Sequence, residues 1–173
     1  LNSKLNIEIE RKYLLKQFPS FLPKISETHF IFQVFLSEEK RIRRINNGLK
    51  IVFEETIKTG QGLSRQEISR TIEAIPDVEF AKLLVQYPSI EKIRYYFVEP
   101  FSKDVHYRKM MIDVFQNCKL ILYEIEFNDI ESAYKFLPPS YIIDYIDREV
   151  TNDFAFNNFA LAQTIYEKNK TTT

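Results

Sequence analysis

The 173-residue sequence is poor in the residues that would point to several common chemistries. It has one cysteine, Cys118, so no disulfide can form within the chain, and a reducing, cytoplasmic setting is the simpler expectation. No histidine stands near Cys118 in sequence to activate it, so the thiol reads as a residue at a loop or strand end. Three glycines, Gly48, Gly60 and Gly62, match no nucleotide fingerprint, so any bound phosphate must be held mainly by side chains. The two histidines, His29 and His106, match no metal spacing and read as surface or hydrogen-bonded groups. No apolar run approaches the length of a membrane span. Net charge is zero, from 24 basic and 24 acidic residues, which argues against a face for duplex nucleic acid or for anionic membranes. The start at Leu1 leaves a removed leader open, and Thr171 to Thr173 read as a frayed end.

What is present describes one compact domain over 1–173, with 45% hydrophobic and 28% charged residues. The dominant periodicity is two. Strands are expected over Leu5–Leu15, Phe30–Leu36, Arg41–Ile45, Leu49–Lys58, Arg65–Ile72, Lys92–Val98, Met110–Phe115 and Leu120–Phe127, separated by turn residues such as Asn46-Asn47-Gly48. Helical spacing appears after Pro76-Asp77 with Asp77 as cap, from Asp129 to a stop at Pro138-Pro139, and over 153–168. The fold class is therefore mainly β with α: an antiparallel sheet of about eight strands that can close into a barrel, with helices packed outside.

Charge placement within the strands carries the functional reading. Glu8, Glu10 and Lys12 share one face of their strand, opposite Ile7 and Ile9. Arg41 and Arg43 flank Ile42; Thr56 and Lys58 flank Ile57; Lys92 and Arg94 flank Ile93; Glu124 and Glu126 flank Ile125. Arg65 aligns with Glu67, and Asp113 lies between Ile112 and Val114. Each strand alone reads as amphipathic with a solvated ionic face. Together they conflict with that reading, because the helices need an apolar sheet face to cover. If the helices lie outside, the ionic faces converge inside, where only hydration, pairing or a ligand offsets their desolvation. Lys12, Arg41, Arg43, Lys58, Arg65, Lys92 and Arg94 suit several phosphates. Glu8, Glu10, Asp113, Glu124 and Glu126 are hard oxygen donors suited to Mg2+ or Mn2+, and a bridging cation reconciles them with a polyanion.

These residues resemble the CYTH superfamily, the triphosphate tunnel metalloenzymes. The resemblance rests on the ordered set E-x-E-x-K (Glu8 to Lys12), R-x-R (Arg41 to Arg43), T-x-K (Thr56 to Lys58), K-x-R (Lys92 to Arg94), the acidic strand at Asp113, E-x-E (Glu124 to Glu126), and Glu149-Val150-Thr151 before a C-terminal helix. It spans nearly the whole chain. It implies a closed eight-stranded tunnel and a triphosphate substrate: tripolyphosphate, a nucleoside triphosphate or thiamine triphosphate. It further implies metal binding by Glu8, Glu10, Asp113, Glu124 and Glu126, and phosphate binding by the seven cations. Glu8, Glu10, Lys12 and Glu67 form the catalytic group implied, with water rather than a covalent nucleophile attacking phosphorus. Dimers occur among relatives, so a homodimer is compatible with the resemblance, although no residue marks an interface.

One departure stands out. Where the family often has R-x-E-x-E, this chain has Arg65-Gln66-Glu67-Ile68-Ser69, with Ser69 in place of the second acid. Among lesser signals, Arg44 faces away from Arg43 toward solvent or a carboxylate, Tyr95-Tyr96 read as sheet packing, and Glu149 reads as structural. Three functions remain open at this point: triphosphate hydrolysis, a class IV-type adenylate cyclase, and a non-catalytic polyphosphate- or nucleotide-binding module.

Overall fold

The computed structural model describes residues 4–20, 22, 24–60, 62–98 and 107–171. Leu1, His106, Thr172 and Thr173 lie outside the described residues. The strands are β1 (Lys4–Leu15), β2 (Ile25–Phe35), β3 (Lys40–Asn46), β4 (Ile51–Thr59), β5 (Ser64–Ile72), β6 (Ser89–Phe97), β7 (Tyr107–Phe115), β8 (Ile121–Phe127) and β9 (Ile146–Glu149). The helices are α1 (Asp77–Gln86), α2 (Ile130–Lys135), α3 (Ser140–Ile143) and α4 (Asn158–Thr171). No helix among the described residues is long and apolar enough to cross a membrane.

Every expected strand is found, and the sheet closes. The order is β5-β4-β3-β2-β6-β7-β8-β1, with β5 returning to pair with β1. Closure works because β1 is long enough to use one edge twice. Its first half, Lys4 to Ile9, pairs with β5, and its end, Tyr13 to Leu15, pairs with β9. The other edge pairs with β8 from Ile9 to Leu14. Strand β9 is thus an addition to an eight-stranded antiparallel barrel. It escapes the sequence reading because Ile-Asp-Arg-Glu offers one apolar residue and no alternation.

Helix ends differ in detail from expectation. Asp77 is not the cap of α1; Pro76 holds that position and Asp77 lies in the first turn, 3.6 Å from the Arg44 guanidinium. Asp129 does cap α2, accepting from Ser132 N at 2.7 Å. The C-terminal helix begins at Asn158 rather than 153, because Asp153 caps a short 3-10 turn at Phe154–Phe156. Asn157 Oδ1 then accepts from Ala160 N at 2.7 Å and opens α4.

Strand parity sorts the core. Outward-facing Ile9, Tyr13, Ile112, Tyr123, Ile125 and Phe127 are buried with Ala133 and Phe136 of the α2 segment and Ile142 of α3. Outward Val34, Ile42 and Phe53 are buried against Phe80 of α1. Inward-facing Phe35, Ile90, Phe115 and Leu122 sit at one end of the barrel, where Val150 and Ala162 of the α4 segment close over them. The apolar face is covered, and the ionic face is left inside.

Arg11, the one charge on the outer face of β1 that the sequence set apart, ties the covering layer down. Its guanidinium bonds both carboxylate oxygens of Glu149 (2.8 and 2.6 Å) and the carbonyls of Ala133 (3.0 Å) and Phe136 (2.9 Å). Glu149 is therefore structural, as its place past the barrel strands suggested. R11M is expected to cost about 2 kcal/mol, since charged hydrogen bonds to partly buried groups are lost. Arg11, aided by Thr151, holds the Glu149 carboxyl below its ordinary value. A depressed carboxylate contributes stability above its unfolded pKa, about 4.3, and loses it as pH falls through the lower folded value. The gap in melting temperature between wild type and R11M should therefore be constant above about pH 5 and narrow in acid. Thermal melts from pH 3 to 8 check this, and a gap that widens in acid would contradict it.

Candidate active site

Period-two alternation turns ionic side chains from seven of the eight barrel strands into one interior. They line a cavity of about 640 Å³. Glu8, Glu10 and Lys12 come from β1, Arg41 and Arg43 from β3, Lys58 from β4, Glu67 from β5, Lys92 and Arg94 from β6, and Glu124 and Glu126 from β8. Arg65 joins them by bonding Glu8 at 3.0 Å and Glu10, and it lines a second cavity of about 320 Å³ toward the α4 end. Glu10, Lys12, Arg41 and Lys58 border both cavities, forming the waist between them. Asp113 sits behind the wall, fully buried, with Lys92 Nζ at 2.5 Å and Arg94 Nε and Nη2 at 2.6 Å.

The charges form two groups joined by Arg65, which bonds Glu8 in one and Glu10 in the other. In the first, Lys58 Nζ lies 2.5 Å from Glu8 and 2.9 Å from Glu67, while Arg43 pairs with Glu54. In the second, Arg94 spans Asp113 and Glu124 (2.9 Å), and Lys12 Nζ lies 3.2 Å from Glu10 and 3.4 Å from Glu124. Burial pushes the Glu8 carboxyl up, but Lys58 and Arg65 outweigh it and hold the group well below the usual carboxylate range. Asp113 is likewise held far down by Arg94 and Lys92 against its burial. Burial lowers Lys92 to about 8, with Asp113 opposing and Arg94 adding to the shift. Burial and then Arg43 lower Arg41 to about 10.

Arg41 is the least satisfied of the cations. It is 6% exposed and forms no hydrogen bond among the described residues, and the carboxylate nearest it, that of Glu67, is 3.7 Å away. The Nε atoms of Arg43 and Arg65 are also buried without a partner. Buried donors in this condition are uncommon and costly.

For a divalent cation the donor chemistry fits, because the register sets Glu10 directly opposite Glu126, with Glu8 two residues along β1 and Glu124 two along β8. Burial raises the Glu126 carboxyl, and Glu8 and Glu10 add to the rise, so these acids share one field. Their oxygens are nonetheless turned onto lysine and arginine. No three His, Cys, Asp or Glu side chains among the described residues are gathered as a metal cluster.

Several interior residues were not anticipated. Glu54 was legible in principle, two residues before Thr56 on the same face, but Glu55 beside it makes both faces acidic. Gln33 is fully buried inside the barrel and lines the main cavity. Tyr96, expected to pack in the sheet, lies on the cavity rim with the His29 ring 4.9 Å away; His29 is hydrogen-bonded as expected, to Glu27 at 2.8 Å. Ser69 donates to Glu67 at 2.9 Å and lies 3.1 Å from the Thr56 hydroxyl, so it steadies the remaining acid of β5. Cys118 packs beside the α4 cluster, where burial raises its thiol pKa.

No family model matches the sequence, and no curated protein does. Solved structures do. The inorganic triphosphatase NE1496 is 26% identical, with a TM-score of 0.58, and the match covers 90% of this chain and 93% of that one. A second structure of NE1496, described as a hypothetical protein, is 27% identical with the same TM-score, over 90% and 97% of the two chains. The PH1819 protein from Pyrococcus horikoshii OT3 is 15% identical over 91% and 99% of the two chains, with a TM-score of 0.46. The fold of this chain is the triphosphate-tunnel fold of the CYTH superfamily.

Proposed function

We propose that the chain hydrolyses a triphosphate, tripolyphosphate or a nucleoside triphosphate, inside the barrel with the help of Mg2+ or Mn2+. The observation that carries this reading is Arg41: a buried guanidinium at the waist of the cavity, beside Arg43, with no hydrogen bond of its own among the described residues. A multivalent anion with oxygens spaced along a chain is the ligand that satisfies Arg41, Arg43 and Lys58 together, with Lys92 and Arg94 from the neighbouring wall. The likeness to an inorganic triphosphatase, at 26% identity over most of both chains, supports the same class of substrate.

The residues divide by chemistry. Arg41, Arg43, Lys58, Arg65, Lys92, Arg94 and Lys12 hold phosphate oxygens. Asp113, which the family resemblance places among the metal-binding acids, has its carboxylate engaged by Lys92 and Arg94, and its part is instead to keep that ammonium and guanidinium aimed at the cavity. Glu8, Glu10, Glu124 and Glu126 supply oxygens for the cation, which would neutralise charge on the phosphates and lower the pKa of bound water. Glu67 holds Lys58 at 2.9 Å and faces Arg41. In the reaction, the oxygen of a water bonds to the terminal phosphorus as the bridging P–O bond breaks, and the shortened phosphate leaves with that bond's electrons. The ion pairs that fill the empty barrel are exchanged for phosphate contacts when substrate enters, so the charges need little rearrangement beyond side-chain rotation.

One observation favours nucleotides: the His29 and Tyr96 rings on the cavity rim offer a surface on which a base can stack. Hydrolysis and cyclisation are separated by product. With ATP and either cation, orthophosphate is the expected product, and its release should fall at least about 100-fold in E10Q and R43A. Cyclic AMP as the main product would replace hydrolysis by the cyclase reading; tight binding of triphosphates without turnover would replace it by a binding module.

A further inference from the structure

We propose that Gln33 contacts the substrate and reads the end of the phosphate chain, an assignment that rests on the triphosphate reading above. Gln33 is 0% exposed, on the inward face of β2, and borders the main cavity. Neither its Nε2 nor its Oε1 has a hydrogen-bond partner among the described residues. Its cross-strand neighbours are Arg43 on β3 and Ile90 on β6, so neither neighbour offers an acceptor side chain for Nε2 or a carboxylate for the amide to lean on. An amide placed so deep, with both halves idle, lowers the stability of the empty protein, and a methionine of similar size would fit the same space without that cost. A ligand that uses both halves of the amide accounts for a glutamine at this position.

The two halves define the ligand. The wall around Gln33 is cationic and supplies donors only: Arg43 beside it, Arg41 one step toward the waist, Lys92 one step toward the other mouth. A fully ionised phosphate accepts hydrogen bonds and donates none, so it would engage Nε2 and leave Oε1 idle. A terminal phosphate titrates near neutrality, with a second pKa of about 6, and in its singly protonated form it carries an acceptor oxygen beside a P–O–H donor. That pair matches the amide: Nε2 donates to the oxygen and Oε1 accepts from the hydroxyl. Internal phosphates of a chain, and all phosphates of a ring, carry no such hydroxyl near neutral pH. Gln33 would therefore distinguish a chain end from the interior of a polyphosphate.

The test uses the whole chain and Q33M. Two readouts are needed: the melting temperature without ligand, and calorimetric titration near pH 6.5 with tripolyphosphate and with cyclic trimetaphosphate, which has as many phosphorus atoms but no end. The expected result is a Q33M midpoint raised by about 2–4 °C, with tripolyphosphate binding weakened about tenfold and trimetaphosphate binding unchanged. A midpoint that falls, or a chain that no longer folds, would show that Gln33 has a structural bond and overturn the assignment. So would equal losses for both ligands, or tripolyphosphate affinity within about twofold of wild type. Wild-type protein that does not bind tripolyphosphate would instead remove the triphosphate reading itself, which distinguishes the two failures.

Discussion

R41M is expected to lower kcat/KM for tripolyphosphate by about 100- to 1000-fold while leaving the melting temperature of the ligand-free protein unchanged or higher. The two effects have one cause. Arg41 is buried at the waist of the cavity with its closest carboxylate 3.7 Å away, too far for a hydrogen bond, and with Arg43 repelling it. In the empty protein its charge is poorly compensated, so an apolar chain of similar length relieves desolvation rather than breaking a bond. In the complex the same guanidinium is free to turn entirely to phosphate oxygens, whereas Lys12 and Lys58, the other cations at the waist, are already paired with Glu10 and Glu8. Steady-state kinetics and differential scanning calorimetry on one pair of preparations measure both. A marked drop in midpoint together with intact activity would mean that Arg41 serves the fold and not the ligand.

Asp113 is the opposite case. D113N is expected to lower the melting temperature by roughly 10 °C, and activity with it, although the change removes only a charge. The Asp113 carboxylate is fully buried and accepts from Lys92 and from two nitrogens of Arg94. Breaking a buried ion pair from one side typically costs about 3–5 kcal/mol, because the partner charge stays behind. Here two cations would be left, with Glu124 the one other acid within 3 Å of Arg94 among the described residues. For a chain of this length, each kcal/mol moves the midpoint by about 2–4 °C. Thermal melts of D113N against wild type measure it. A shift under about 3 °C would mean that Lys92 and Arg94 are compensated elsewhere, and that Asp113 does not organise the wall.

The contrast explains what sequence could and could not convey. Four strands are legible from ionic residues at i and i+2 around an isoleucine (Glu8-Ile9-Glu10, Arg41-Ile42-Arg43, Lys92-Ile93-Arg94 and Glu124-Ile125-Glu126) and the others from alternation, and the inward sense of the ionic face follows once three helices require apolar cover. Which acid meets which cation is set by register, and register depends on pairings such as Glu8 with Arg65 across 57 positions. Arg11 shows the same limit: its partner Glu149 is 138 residues away, so its role was open. Gln33 was hidden for another reason. In Phe32-Gln33-Val34-Phe35 one amide among aromatics looks like an incidental polar residue of a core strand. Only its burial without a partner separates it from that reading. Glu54 escaped through its neighbour Glu55, which bonds Lys40 and Arg70 on the outer face.

Seven acids, Glu8, Glu10, Glu54, Glu67, Asp113, Glu124 and Glu126, stand among the interior cations Lys12, Arg41, Arg43, Lys58, Arg65, Lys92 and Arg94, and Arg108 and Lys109 of β7 also line the main cavity. A polyanion entering that barrel meets repulsion from the carboxylates beside the attraction of the cations, and a metal cation accompanying it offsets that repulsion. The most direct measurement is therefore orthophosphate release from tripolyphosphate by the wild-type chain, stripped with EDTA and then supplied with Mg2+ or Mn2+. The expected result is no turnover in EDTA and, with either cation, one orthophosphate and one pyrophosphate formed for each tripolyphosphate consumed. Full turnover in EDTA would contradict the part given to the cation, and no turnover with either cation would contradict the hydrolase.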